Sequence, residues 1–339
     1  MRKYRYYLYP ISLFCLIITF ILLVNNNKPS DKTNIINQYY LTNNSLVKNY
    51  GRSNDLEFLS ESMGLYLEYL LLIENEKEFN KIFNVFESKF ILKKDGLYHI
   101  KWRLEDYQST NALIDDLRII RVLKEASVIF DNRNFLEIAN KLSNSLTFTH
   151  MNGGYFTDFY DWNYKQHANE LHLSYIDTEA LTQSSQNIDF QSLQQKGNDE
   201  TSPFFLEVLR IQKNKYEPAN PLTVNMIDQM LIAIQVLKIT DQPPFKFDQW
   251  LKSELLNNKK IYGQYKRDSL VPLDFNESSA VYSLLTLYFL EQKDKQLAKK
   301  SYELLRRQLP LQKEPNYEEI HFFDFIHSVI ADYKYKNQK

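Results

Sequence analysis

An all-α fold behind one membrane-spanning segment is what this chain predicts, and three observations carry the expectation. Seven glycines and ten prolines in 339 residues are too few for a protein rich in tight turns. Apolar residues recur at helical spacing almost to the C-terminus. Residues 6–24, YYLYPISLFCLIITFILLV, carry no charge over a length that crosses hydrocarbon at about 1.5 Å per helical residue. Composition bounds the rest. With 41 basic and 42 acidic side chains the formal net charge is −1, without the basic surplus of a phosphate-backbone binder, so nucleic acid is not an expected partner. At 44% hydrophobic and 14% aromatic residues, the chain can bury a sizeable core.

In chain order, Arg2, Lys3 and Arg5 precede the apolar segment, so the positive-inside bias keeps the N-terminus in the cytoplasm and everything after about Asn25 outside. Leu22 to Asn27 lacks the small-x-small pattern of a signal-peptidase site. Leu13-Phe14 is bulky where a lipid-attachment box before Cys15 wants a small residue, so residues 1–25 read as an uncleaved single-pass anchor. Cys15 is the single cysteine, and the exported part must rest on core burial without disulfides. Residues 26–35 are a polar linker, and 36–335 read as one domain. Helices are expected at 36–48, 54–73, 76–91, 110–127, 132–147, 172–184, 201–212, 222–240, 245–257, 276–292, 294–308 and 317–334, with no run of strands. Asn54-Asp55, Ser109-Thr110-Asn111 and Asn276-Glu277 offer candidate caps. Leu65–Ile73, Met226–Leu237 and Ala280–Leu290 are apolar nearly all round, whereas their neighbours are amphipathic and Lys295 to Arg307 shows its charges to water. Twelve helices alternating in this way make six hairpins, an inner ring within an outer one. The expected architecture is an (α/α)6 barrel with its cleft at the N-terminal ends of the inner helices. The stretch 148–173, holding Gly153-Gly154 and the aromatics Tyr155, Phe156, Phe159, Tyr160, Trp162 and Tyr164, reads as a loop over that mouth, and 259–274 as a second gap.

Chemistry is sought at those helix starts. Ser60-Glu61-Ser62-Met63-Gly64-Leu65 places Glu61 where a first helical turn meets the interior, and Asp228 recurs in a similar setting far downstream. Paired carboxylates from distant helices are what glycosidic-bond hydrolysis needs. No His-x3-His pair occurs among the six histidines and the domain has no cysteine, so neither a metal site nor a cofactor is expected.

An ordered set of segments resembles glycoside hydrolase family 8. Ser60–Gly64 is similar to the Ser-Glu-Gly-x-Gly-Tyr segment that opens that family's catalytic domain. Gly96-Leu97-Tyr98 with Trp102-Arg103 is similar to its Gly-Leu…Trp-Arg strip, and Asn111 to Ile119 to its Ser-Ala-Thr-Asp-Ala-Asp-Leu-Asp-Ile helix start. Gly154-Tyr155 followed by Leu173-Ser174-Tyr175 resembles the loop ending in Asn-Pro-Ser-Tyr, Asn225 to Leu231 resembles Ser-Tyr-Asp-Ala-Ile-Arg, and Phe275 to Tyr288 the late Ser-Ala-x-Tyr helix. The resemblance runs over about residues 50 to 330. It implies the same barrel and an inverting mechanism, with Glu61 as general acid and Asp228 as general base. Asp158, Asp161, Asp177, Asp189 and Asp274 stay open as alternatives for the base. The resemblance further implies that Asp116, or its neighbour Asp115, binds the sugar at the cleavage subsite, and that Trp102, Tyr155 and Tyr175 stack on pyranose faces.

Several positions depart from the family pattern. Ser62 stands for Gly, Leu65 for Tyr, Ile227 for Tyr and Leu231 for Arg, and the first Asp of the third segment falls on Ile114. These swaps shift the expectation from cellulose to another extracellular polysaccharide. The expected function is a membrane-anchored inverting endo-glycosidase facing outward and trimming an exopolysaccharide, with a polysaccharide synthase complex in the same membrane as partner. The alternative is a non-catalytic polysaccharide-binding or assembly factor of such a complex.

Overall fold

A computed structural model describes residues 31–105, 107–181 and 197–338. The expected anchor over 1–25, Cys15, the start of the linker and the alternative base Asp189 lie outside the described residues, among which no helix is long and apolar enough to cross a membrane. The chain divides into two compact units, one ending at Tyr39 and one running from Tyr40 onward. Of the first, an α-helical turn, Asp31–Ile35, leads into a π-helical turn, Ile36–Tyr40.

In the second unit, α1 (Ser60–Leu72), α3 (Leu113–Ile129), α5 (Thr178–Leu181), α6 (Met226–Thr240), α8 (Ser279–Glu291) and α10 (Phe322–Lys336) form an inner set. Outside them stand α2 (Glu76–Phe90), α4 (Arg133–His150), α7 (Phe245–Asn257) and α9 (Lys295–Leu305). Inner helices touch in sequence, α10 to α1, α1 to α3, α3 to α5, α6 to α8 and α8 to α10, while α2 covers α1, α4 covers α3 and α9 covers α8. Chain chemistry dictates these roles. α2 is capped by Asn75, whose side chain accepts the Glu78 N–H, and buries the single stripe Phe79, Ile82, Phe83, Phe86 and Phe90. α1 is buried nearly all round, and Gly64 permits its close approach to α3, since a Cβ there would stand 3.1 Å from Ile119. Hydroxyls on the inner helices turn back on their own backbones: Ser283 donates to the Ser279 carbonyl at 2.7 Å, Thr286 to Tyr282 at 2.8 Å and Ser328 to Asp324 at 2.7 Å.

Several expectations need correction. The helix expected at 36–48 stops at Tyr40, after which Leu41 and Val47 form a bridge around a turn with Ser45 at φ 59°. The helix expected at 201–212 is extended chain, and that at 172–184 is a 3-10 turn, Leu173–Tyr175, followed by α5. Among the described residues strands are present, as four small antiparallel sheets: β1 (Ile91–Lys94) with β2 (Leu97–Ile100), β3 (Tyr160–Asp161) with β4 (Gln166–His167), β5 (Glu170–His172) with β6 (Val208–Arg210) and β7 (Lys215–Glu217), and β8 (Thr223–Asn225) with β9 (Gln264–Lys266). They serve the inner helices. α1 and α3 begin after the extended residues Leu59 and Ala112 with no side-chain cap, in place of the expected Asn54-Asp55 and Ser109–Asn111 caps. The entering chain is held by bridges instead, Leu59 to Arg103 and Thr110 to Asp161, and β8 delivers α6 in the same way.

Candidate active site

Glu61 lies in the first turn of α1. Its entry is pinned by the Ser60 N–H, which donates to the Trp102 carbonyl at 3.0 Å, and the Leu104 N–H, which donates to Phe58 at 2.9 Å. The neighbouring first turn, on α3, contributes Asp115, which is buried and accepts the Ser60 hydroxyl at 3.0 Å and the Arg118 guanidinium at 2.7 Å. Burial pushes the Glu61 carboxyl up to about 7; the Asp115 charge adds to the rise and Arg118 opposes it. A carboxyl poised there still holds a proton near neutrality, as a general acid must.

Asp116 faces a different network. One carboxylate oxygen accepts the Asn111 amide, while Oδ1 is buried without a partner among the described residues. The Asn111 amide also accepts the Tyr160 N–H at 2.9 Å and meets His150 Nε2 at 2.9 Å. Burial raises Asp116 well above the usual carboxylate range, against the Asn111 hydrogen bond and with help from the Asp115 charge. A buried carboxyl oxygen left over in this way lacks the partner that such groups ordinarily have.

Asp228 occupies the first turn of α6, where Asn225 caps the helix by accepting the Ile227 N–H at 2.9 Å. Burial raises its carboxyl, while the nearby Ser174 hydroxyl and the His172 ring oppose the rise. Tyr175 links the two halves of the site. Its phenol is pushed up to about 12 by burial and then by the charges of Asp158, Asp228, Asp115 and Glu61. First turns of α1, α3 and α6, far apart in the chain, therefore act on one half-buried hydroxyl.

Trp102 is half-buried beside the entry to α1, with the Arg103 guanidinium 5.9 Å from its ring centre. Tyr155 keeps other company: it bridges Asn152 and acts on Tyr216 of β7. Of the alternative bases, Asp161 accepts the Asn163 and Tyr164 N–H groups, Asp274 caps Asn276 on the surface, and Asp177 pairs with Arg121 at 2.7 Å. Asp158 accepts the His172 N–H at 2.7 Å and its ring Nδ1 at 2.6 Å. Asp158, Glu170 and His172 bring three ligand-type atoms within 4.8 Å of one another, but these atoms are engaged, Glu170 by Arg210 and the other two by each other. Asp158 was expected only as an alternative base; its pairing with His172, the Asn111–His150 contact and Arg118 were not legible as parts of the site. The one available signal was that His172 stands where the family's loop carries Asn.

A cavity of about 650 Å³ runs from Ile114 and Tyr175 to the C-terminal ends of the inner helices at Lys238, Glu291 and Lys334, and none of Glu61, Asp115, Asp116 and Asp228 lines it. Ile114, Ser174, Tyr175 and Leu231 line it together with Glu68 and Arg121, which pair at 3.1 Å. The aromatic run expected over the mouth divides between interior and surface: Trp162 is buried and stacked 5.1 Å from His99, whereas Tyr164 is exposed.

No family model matches the chain. It is 30% identical over 248 residues to "Putative lipoprotein YdaJ" of Bacillus subtilis strain 168, covering 71% of this chain and 67% of that one. Among solved structures it resembles PssZ from Listeria monocytogenes, with a TM-score of 0.83 and 33% identity over 90% of this chain and 95% of the other. An alpha-amylase from Clostridium perfringens superposes at 0.78 with 20% identity, over 90% of this chain and 96% of that one. The endoglucanase Cel10 of Klebsiella pneumoniae, a family 8 glycosyl hydrolase, superposes at 0.64 with 14% identity, over 88% and 97%.

Proposed function

We propose that this chain, which belongs to the same family as YdaJ and has the fold of the family 8 glycosyl hydrolases, is an inverting endo-glycosidase acting on an extracellular polysaccharide. One observation carries the reading: the first turns of α1, α3 and α6 present Glu61, Asp116 and Asp228, and the 3-10 turn that bears Tyr175 packs against both α3 and α6. Glu61 donates its proton to the leaving glycosidic oxygen. Asp228, ionised, takes a proton from the water that attacks the anomeric carbon from the opposite face, which requires the two carboxyls to stand roughly 6.5–9.5 Å apart. The free Oδ1 of Asp116 receives a hydroxyl of the sugar at the cleavage point, and Tyr175 and Trp102 supply ring faces. Asp115 acts through Glu61.

The uncharged stretch at 6–24 supports an outward-facing protein tethered to the membrane, and the lipoprotein description of a relative supports membrane association by one means or another. A tethered hydrolase meets polysaccharide where it leaves the cell, which favours an exopolysaccharide emerging from a synthase complex in the same membrane.

A second reading has its own support. Ile114 and Leu231 replace charged residues of the family pattern and line the cavity beside Tyr175, as would suit a cleft that grips a chain without cutting it. One experiment separates the two. The protein is incubated with a panel of polysaccharides, including the producing cell's own, and new reducing ends are counted and their anomeric form read by NMR. Hydrolysis is expected from the parent with inverted configuration, and Glu61→Gln is expected to lower it by at least about 10³-fold. Binding with no reducing ends from either form would establish the gripping role instead.

A further inference from the structure

His172 carries a role that neither the motif nor the proposed chemistry gives it. It ends β5, directly before the 3-10 turn that presents Ser174 and Tyr175. Asp158 holds it twice, taking the backbone N–H at 2.7 Å and Nδ1 at 2.6 Å, so both the main chain and the ring are fixed by one carboxylate. Its ring stacks on that of Tyr175, with centres 5.1 Å apart and planes at 25°. The 3-10 turn in turn packs against α6, and the His172 and Asp228 charges act on each other.

We propose that the Asp158–His172 pair is a positioning device for the base: the imidazolium keeps a positive charge beside Asp228 and its ring fixes the plane of Tyr175. The inference rests on the hydrolase reading for its catalytic meaning, while its geometry does not. The groups facing the ring come from every element around it. On β5 itself Glu170 is paired with Arg210. Before β6, Glu207 is paired with Arg267 at 2.6 Å and hydrogen-bonded to Gln229 at 2.6 Å. Asp158 and Asp228 remain as carboxylates with no Arg or Lys partner among the described residues, and Tyr175 covers one ring face. One cation thus serves two anions, one that grips it and one it serves. Burial alone would lower the His172 pKa; the hydrogen bond and charge of Asp158, then the charges of Asp228 and Glu207, raise it instead. Both groups lose a proton as pH rises, and above the ring's midpoint the cation is gone and Asp228 has no charged partner in it.

Two measurements on the full chain test this. The first needs no substrate: ring C–H resonances of His172 are followed by NMR against pH in the parent, in Asp158→Asn and in Asp228→Asn. The midpoint is expected to fall in both variants, by about one pH unit or more without Asp158. A midpoint unmoved in Asp228→Asn overturns the proposal whether or not the protein is a hydrolase. The second is the pH profile of hydrolysis in His172→Asn, which carries the residue of the family loop. Loss of the cation lets the Asp228 pKa rise, so the acid limb of kcat/KM is expected to move up by about one pH unit. An acid limb that stays in place while kcat falls evenly at all pH values would reduce His172 to a structural residue. A parent without hydrolytic activity would overturn the hydrolase reading, leaving the NMR result to decide the electrostatic pairing.

Discussion

Glu61, Asp115 and Asp116 are three carboxyls that burial shifts upward at two adjacent helix starts, and holding protons there works against the fold. Below the ordinary Glu value of 4.5, Glu61 is protonated both folded and unfolded. Between that value and about 7 only the folded chain keeps the proton, so stability falls as pH rises through this window. At about 1.4 kcal/mol per pH unit, Glu61 alone costs roughly 3 kcal/mol at pH 8. Glu61→Gln is therefore expected to melt above the parent at pH 8, with the difference closing by pH 4. A melting curve with no such pH-dependent gap would remove Glu61 from the role of a buried, protonated acid. Asp115 adds a second test. Its charge helps hold the Glu61 proton, so Asp115→Asn should move the alkaline limb of activity down by about one pH unit and leave the acid limb alone. Residues of this kind were legible because each sits in a short motif at a helix start. The Asp158–His172 pair was not, because its members are fourteen positions apart and meet only when β5 folds beside the chain entering β3.

Helices with one apolar stripe could be read closely from sequence. Residues 245–257 are helical as expected, and 76–91 differs by one residue, because Phe79, Ile82, Phe83, Phe86 and Phe90 make a face that only a helix buries. The segment 201–212 misleads for a related reason: Phe204, Phe205, Val208, Leu209 and Ile211 are also spaced like a helical stripe, yet all are buried, the first four in extended chain and Ile211 at the start of a 3-10 turn. What overrides the spacing is tertiary. Glu207, 1% exposed, receives the Arg267 guanidinium at 2.6 and 2.8 Å, the Gln229 amide at 2.6 Å and the Ala219 N–H at 3.0 Å, while β6 pairs on both edges. A partner sixty residues away has no trace in local periodicity. The same network predicts a large single-site effect. Arg267→Met leaves the Glu207 charge buried and uncompensated, and is expected to cost about 3 kcal/mol in denaturant unfolding at pH 7. Adding Glu207→Gln should recover at least half of that, since the lone charge is then gone. A double variant no better than the single one would mean that packing, rather than charge, holds this segment.

Across the whole molecule, the ring of paired helices was legible because inner and outer helices differ in how much of their circumference is apolar. The β rim was not, since its strands are two to four residues long and pair only through small antiparallel ladders. The axial cavity lay between these two limits. Its composition could be anticipated at two points, Ile114 and Leu231, where the family pattern carries Asp and Arg, and both of these residues line it. An ion pair taken out together for two apolar side chains leaves neither charge stranded, which is the inexpensive way to remove one; taking out a single member is not. Restoring the charges should obey the same rule. Ile114→Asp alone and Leu231→Arg alone each introduce a charge without its family counterpart at a half-buried position, and each is expected to lower stability by about 2 kcal/mol. The double variant should lose about 1 kcal/mol less than the sum, a coupling that denaturant unfolding of the four forms reads directly. Additive losses would show that the two positions do not face each other across the cavity, so that the substitutions at 114 and 231 arose separately. A positive coupling would instead mark the floor of this barrel as one in which a charged pair was exchanged as a unit for an apolar one.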